Sequence, residues 1–205
     1  MTAFLKVEIS YKFHLHNMLK IGAGNGRNSY IDNLHRSRKD AQNKDVVDIP
    51  GTIVKGKVRS QFQKMNTLFS QNMQHNIFGK EGQAGWAHFS NLTPTAELKL
   101  DVKTSTQINR FTKTAKHGAL KVEQYAQLPK SSYFTGTIRG YVADDEQIEQ
   151  QVYALALALL RTNQFGGDKS IGFGIGEIEL TAIQIGDRQL TNTDDIKQAI
   201  LETLV

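Results

Sequence analysis

The sequence predicts an α+β fold whose elements run strand, helix, strand, strand, helix, strand. Three observations carry this: a long alternating stretch at the N-terminus, two stretches with apolar residues at helical spacing, and alternating segments flanking a basic excursion. With 205 residues, 39% of them hydrophobic, the chain can bury one substantial core and is short for two, so residues 1–205 read as a single domain.

Ala3, Leu5, Val7, Ile9, Tyr11, Phe13 and Leu15 alternate with Lys6, Glu8, Ser10, Lys12, His14 and His16, the period of a strand with one buried face. It runs into Ile21-Gly22-Ala23-Gly24-Asn25-Gly26-Arg27, whose glycines permit positive φ, and then into a polar stretch reaching Asp48. Residues 22–48 read as one long functional loop, because ordinary connections are far shorter. After Ile49-Pro50-Gly51 a helix is expected from near Thr52, with Val54, Val58, Phe62, Met65, Leu68 and Phe69 at helical spacing. Residues 72–95 read as irregular, and 97–108 alternate weakly as a strand. Residues 109–130 form a basic, polar excursion expected to turn at His117-Gly118, and 132–142 read as a further strand. A second helix, capped by Asp144 or Asp145, turns Ile148, Val152, Leu155, Ala156 and Leu159 inward, its acidic first turn suiting the helix dipole. A glycine-rich stretch, residues 166–176, leads into a strand at 177–185, and a helix at 194–204 closes the chain. This order matches the ferredoxin-like, RNA-recognition-motif-like βαββαβ core.

The absence of cysteine excludes disulfides, thiolate catalysis and cysteine-rich zinc sites, so any metal must be held by oxygen or histidine. No apolar run approaches the length of a membrane span, and the N-terminus lacks a signal-peptide pattern, so the expectation is a cytoplasmic protein with no membrane partner. The net charge of +5 is unevenly spread. Residues 20–59 carry nine basic and four acidic side chains and 60–143 carry ten and four, whereas 144–205 carry four and eleven. A basic body with an acidic C-terminal third suggests a polyanion on one face and a protein neighbour on another, or simply an unevenly charged solvated surface.

Two elements look suited to phosphate. A helix opening after Pro50-Gly51 is expected to point free backbone N–H groups outward, with Lys55 and Arg59 one turn apart beside them. In the 166–176 loop, glycines surround Lys169 and Ser170 and permit close backbone approach to a sugar-phosphate chain. Neither is a P-loop, since no glycine directly precedes Lys169. His14 and His16 share one strand face, either as a metal pair or as a solvated surface. Tyr125, Tyr133 and Phe134 are candidates for stacking on bases or for ordinary packing.

Ile49-Pro50-Gly51-Thr52-Ile53-Val54-Lys55-Gly56-Lys57-Val58-Arg59 resembles the IPGSSLKGxxR signature of the RAMP superfamily of CRISPR proteins, and the 166–176 loop is similar to that superfamily's C-terminal glycine-rich loop. Ile77-Phe78-Gly79, Arg110-Phe111-Thr112, Gly118-Ala119-Leu120 and Phe134-Thr135-Gly136 are further matches, in order, across nearly the whole chain. In length and compactness the chain looks most like the repeated backbone subunit of type III effector complexes. The resemblance implies partners: guide CRISPR RNA, target RNA, further copies of the chain and other effector-complex subunits. It implies RNA-binding roles for Lys55, Lys57, Arg59, Gly166, Gly167, Lys169 and Ser170, and makes residues 103–131 a thumb that wedges between guide and target bases.

The resemblance also implies that Asp32, upstream of the signature, cleaves target RNA with a divalent cation such as Mg²⁺. An aspartate beside a scissile phosphate can orient the cation or help deprotonate the 2′-hydroxyl, with His35, Arg36 or Arg38 steadying developing charge. Asp32 is followed by Asn33-Leu34-His35 where the family has Ser-Pro, and Thr52 and Ile53 replace two serines. Asp40, Asp45 and Asp48 lie in the same loop. Two rival readings stay open: a backbone subunit that holds RNA without cutting it, and a stand-alone, metal-independent guide-processing ribonuclease using histidine.

Overall fold

The computed structural model describes residues 4–25, 31–39, 42–43, 45–143 and 147–204. Gly26, Arg27, Tyr30, Asp40 and the expected Asp144 or Asp145 cap lie outside the described residues. The chain opens with β1 (Phe4–Leu15), followed by short strands β2 (Met18–Leu19), β3 (Gly22–Asn25), β4 (Asn33–His35), β5 (Arg38–Lys39) and β6 (Asp45–Val46). Helices α1 (Gly51–Gln63) and α2 (Gln71–Phe78) precede β7 (His88–Phe89) and β8 (Thr93–Pro94). Then come the long strands β9 (Lys99–Ile108), β10 (Ala115–Gln127) and β11 (Phe134–Ala143), helix α3 (Ile148–Leu160), β12 (Gly176–Ile185), β13 (Arg188–Leu190) and α4 (Thr193–Leu204).

The fold is α+β with mostly antiparallel sheets. β1 is central in the main sheet, whose order is β13-β12-β1-β11-β7, with β8 also on β11. It pairs antiparallel with β11 from Phe4↔Ala143 to Phe13↔Phe134, and with β12 along its other edge. Its alternation does what the sequence promised: Val7, Ile9, Tyr11 and Phe13 are buried against the helices. Helix α3 is apolar almost all round because it is enclosed by α1, α4 and β12, and its residues from Gln151 to Ala156 are buried. Burying its leucines contributes roughly 1.5–3 kcal/mol each.

Several sequence expectations are overturned. Residues 97–108 do form a strand, but β9 pairs with β10 in a second sheet, and the short β7 and β8 take its place beside β11. Polar and largely exposed, β9 has too little apolar surface to cover the core. Residues 72–95, read as irregular, contain α2, where the Ser70 hydroxyl accepts the Met73 N–H at 3.2 Å and Met73, Ile77 and Phe78 turn inward. Helix α1 stops at Gln63, so Met65 and Phe69 reach the core from a turn while Leu68 is exposed. The excursion does not reverse at His117-Gly118: Gly118, at φ 71°, sits in a register irregularity of β10. The reversal is at Asn109, whose Oδ1 accepts the Phe111 N–H at 2.9 Å and whose backbone closes the turn with Thr114. The 22–48 stretch is not a plain loop: β3 and β4 join the second sheet in the order β2-β10-β4-β3.

Backbones approach closely where β11 meets the segment before β7: a Cβ on Gly140 would lie 2.2 Å from the Trp86 carbonyl oxygen. Gly140→Ala is expected to destabilise the fold by about 1–3 kcal/mol, seen in urea unfolding as a lower midpoint at unchanged m-value.

Candidate nucleic-acid interface

The glycine loop is clamped to the segment that follows β1. Phe165, fully buried and edge-on to Phe13 at 4.8 Å, donates its N–H to the Gly174 carbonyl at 3.0 Å. Gly174 must be glycine, since φ is +72° and a Cβ would lie 1.7 Å from the Phe165 oxygen. The Gly167 amide donates to the Lys20 carbonyl at 2.8 Å and the Gly174 amide to Met18 at 2.6 Å. A Cβ on Gly166 would strike that same Lys20 oxygen at 2.3 Å. Glycines 166 and 174 thus serve packing, and the amides of 167 and 174 are spent on it rather than offered to a ligand. What the clamp presents is its apex, a 3₁₀ turn at Lys169–Ile171 with Lys169 and Ser170 exposed. Among the described residues, the amides of Lys169 and Ser170 have no acceptor.

The start of α1 is likewise not the open anion site expected of it. The Gly51 N–H donates to Asn91 Oδ1 at 2.9 Å, and the Ile53 and Val54 amides return to Pro50. Asn91 is held in turn by the fully buried Asp48, which also pairs with Arg38. Gly51 packs so tightly on β7 that a Cβ would lie 2.2 Å from the Phe89 oxygen.

The basic residues of α1 divide between two sides of the helix. Lys57 faces the glycine loop, its ammonium within hydrogen-bonding reach of Lys169. Burial first, then Lys169 and the charge of Lys64, push the Lys57 pKa down to about 8. Lys55 and Arg59 lie across the helix, lining an open cleft of about 510 Å³ with Lys80, Glu81, Gly85 and His88. Gly56, between them, is exposed, and a Cβ there would meet nothing within 4 Å. The structure therefore unites Lys57 with Lys169 and Ser170, from opposite ends of the chain, and sets Lys55 and Arg59 apart from them. The lysine across from the loop was legible only in part, because helical spacing gives the split of faces but not which face meets the loop.

Asp32 is exposed and tied to the hairpin of β9 and β10, which occupies the place of the expected thumb. Its N–H donates to the Val122 carbonyl at 2.9 Å, and its Oδ2 accepts the Val122 N–H at 2.7 Å. Among the described residues, no group of three or more His, Asp or Glu side chains is placed to hold a metal ion. His35 is buried and structural: its Nε2 accepts the Ile21 N–H at 3.2 Å, its Nδ1 lies 3.0 Å from the Arg36 carbonyl, and burial lowers its pKa. Arg38 is committed to Asp48 and Asp45 to Lys39, and Arg36 is exposed at the opposite end of β4 from Asp32. His14 pairs with Glu179 at 2.8 Å and His16 lies 3.9 Å from Glu177, so each histidine faces a carboxylate of β12. Tyr125 and Tyr133 engage protein groups, Tyr125 against Phe173 and Tyr133 beside His14 and Lys12, while Phe134 is core. At the hairpin tip Phe111 is 97% exposed.

A family model of the RAMP superfamily matches residues 14–177, a span that takes in α1, the hairpin and the glycine loop. The chain belongs to the RAMP superfamily. Among solved structures, this RAMP protein is similar to a chain of the type III-B Cmr-β complex, determined by cryo-electron microscopy in its apo state. The TM-score is 0.61 at 12% identity, with 84% of this chain and 96% of that chain covered. No curated protein matches the sequence. No helix among the described residues is long and apolar enough to cross a membrane.

The depressed Lys57 pKa has a defined sign. Its folded value, about 8, lies below the ordinary 10.5, so between these values the unfolded chain binds more protons and stability rises with pH. Relative to Lys57→Met, the wild-type protein is expected to gain stability from pH 8 to pH 10 and to show a constant difference below pH 7. Urea unfolding of both proteins across that range checks it.

Proposed function

We propose that this RAMP protein is an RNA-binding backbone subunit of a CRISPR RNA-guided type III interference complex, holding guide RNA and cleaving target RNA at Asp32. The observation that carries the first half is the meeting of Lys57 and Lys169. Two ammonium groups within reach of one another repel, and no carboxylate pairs either among the described residues. A phosphate between them would turn that repulsion into two charge-assisted hydrogen bonds. The neighbouring Ser170 hydroxyl and the amides at the loop apex add donors. Bare Gly56 leaves room for a strand to cross α1 from this pair toward Lys55 and Arg59.

The fold similarity to a Cmr complex chain supports assembly with other effector subunits and with further copies of this chain. We read the main sheet as a ferredoxin-like core, in which β7 and β8 stand for the second strand. The hairpin reads as the thumb, with Phe111 at its tip available to stack on a base.

For cleavage, a cage made of protein alone does not fit Mg²⁺ here, but a site shared with RNA does. Asp32 would supply one carboxylate oxygen and phosphate oxygens the rest, as this cation prefers. When bound, Mg²⁺ would stabilise charge on the phosphate in the transition state. Asp32 itself would be held in place by Val122 and would orient or deprotonate the attacking 2′-hydroxyl. The bond from Val122 also favours a second reading, in which Asp32 only fastens the thumb and the subunit holds RNA without cutting.

Lys57→Ala with Lys169→Ala is expected to weaken single-stranded RNA binding about tenfold or more regardless of sequence, and to lower the slope of log affinity against log salt by about 1. Unchanged affinity and slope would place the grip elsewhere. Asp32→Ala in the assembled complex is expected to abolish target cleavage with guide binding intact, and unchanged cleavage would establish the holding role alone. Cleavage that survives EDTA would point to the histidine mechanism.

A further inference from the structure

Lys20 is among the least exposed charges in the protein, at 6% accessibility, and nothing in the proposed RNA contacts uses it. Its ammonium donates to Glu123 of β10 and, at 2.9 Å, to Asp168 of the glycine loop. Its backbone carbonyl accepts the Gly167 amide, and the preceding residues pair with the same hairpin strand, Leu19 with Ala126 and Met18 with Gln127. Burial opposes the charge on Lys20, yet the hydrogen bonds to the two acids outweigh it and raise its pKa.

Three functional segments converge on this one side chain. Beside Glu123, Val122 exchanges both hydrogen bonds with Asp32, and Glu123 is itself the register partner of Asn33. Gln124 accepts the His35 N–H at 3.1 Å. On the loop side, Phe173 meets Tyr125 at 5.8 Å and lies under the Lys103 ammonium at 5.1 Å. We infer that Lys20 is a positioning residue, fixing the thumb and Asp32 relative to the loop that carries Lys169. The functional consequence rests on the RNA grip proposed above; the mechanical link does not.

The physical case is one of geometry over stability. A buried ion pair contributes little net stability over apolar packing of the same shape, but it permits few arrangements, because each charge must keep its partner. Displacing Asp168 leaves the nearly buried Lys20 ammonium with Glu123 as its remaining acidic partner, so a shift of the loop is felt by β10. The device needs no motion of the main sheet.

The test is hydrogen exchange on the purified protein with and without single-stranded RNA. Asp168→Asn keeps a residue tolerant of the φ of +53°, leaves the Phe173 contacts with Tyr125 and Lys103 in place, and changes the side-chain bond to Lys20. It is expected to speed exchange at residues 121–126 about tenfold while leaving β1 and β11 unchanged. Lys20→Met is expected to do the same where it folds, and Asp168→Asn alone decides where it does not. Adding RNA is expected to slow exchange at 121–126 in the wild-type protein and not in Asp168→Asn. Uniform acceleration across the whole fold, or unaltered exchange at 121–126, overturns the positioning role. Failure of the wild-type protein to retain RNA would instead overturn the RNA grip, while acceleration in Asp168→Asn would still establish the link.

Discussion

β1 has antiparallel partners along both edges, and whatever leaves its C-terminal end is confined between them. There the backbone of residues 16–20 is bonded to the loop that precedes β12: His16 N–H to Ile175, Gly174 N–H to Met18 and Gly167 N–H to Lys20. These contacts bring a loop from the last quarter of the chain beside a helix from the second. They also demand the absence of side chains at 166 and 174. The site depends on this backbone-to-backbone closure more than on any single charge.

Around the closure, two lysines meet opposite electrostatic circumstances. Lys20 is buried but flanked by two carboxylates, so its charge is held and used to join segments. Lys57 is partly buried with no carboxylate beside it among the described residues and also faces another cation, so burial first and then that cation destabilise its charge. Protein groups alone satisfy the first arrangement. The second would be satisfied by an anion from outside, so the proposed affinity for a polyanion rests on the pair and not on the net charge of +5. In the proposed grip, a strand bound there would favour the protonated form of Lys57 and so couple RNA binding to proton uptake near pH 8.

Much of the fold was legible. Period-two alternation gave β1, β11 and β12, and helical spacing gave α1, α3 and α4, because in each the pattern of burial repeats along the element. What escaped was set by long-range partners. Helix α2 is only eight residues, with a mixed polar face and a Ser70 cap three residues before Met73, a signal visible only once α1 is known to end. The strand at β9 was visible, but its partner was not, since alternation reports a strand and not which sheet receives it. At the site, two segments singled out in the sequence, α1 and the glycine loop, lie beside one another in the fold. Membership of Lys57 rather than Lys55 in the pair with Lys169, and the ties of Asp32 to Val122 and of His35 to Ile21, depend on contacts across the fold that no spacing records.

Glycines show the same division in sharper form. In the sequence, the glycines of the signature and of the C-terminal loop look equally suited to close approach by a ligand. In the fold, Gly51, Gly166 and Gly174 are crowded by carbonyl oxygens within 2.3 Å of where a Cβ would stand, so protein backbone already fills the space they vacate. Gly56 is different. It sits inside a helix, where glycine costs about 1 kcal/mol relative to alanine, and its outer surface meets nothing. No intramolecular contact offsets that cost. Its position between Lys57 on one side of α1 and Lys55 and Arg59 on the other suits the proposed crossing of the helix by an external strand, which a side chain there would obstruct.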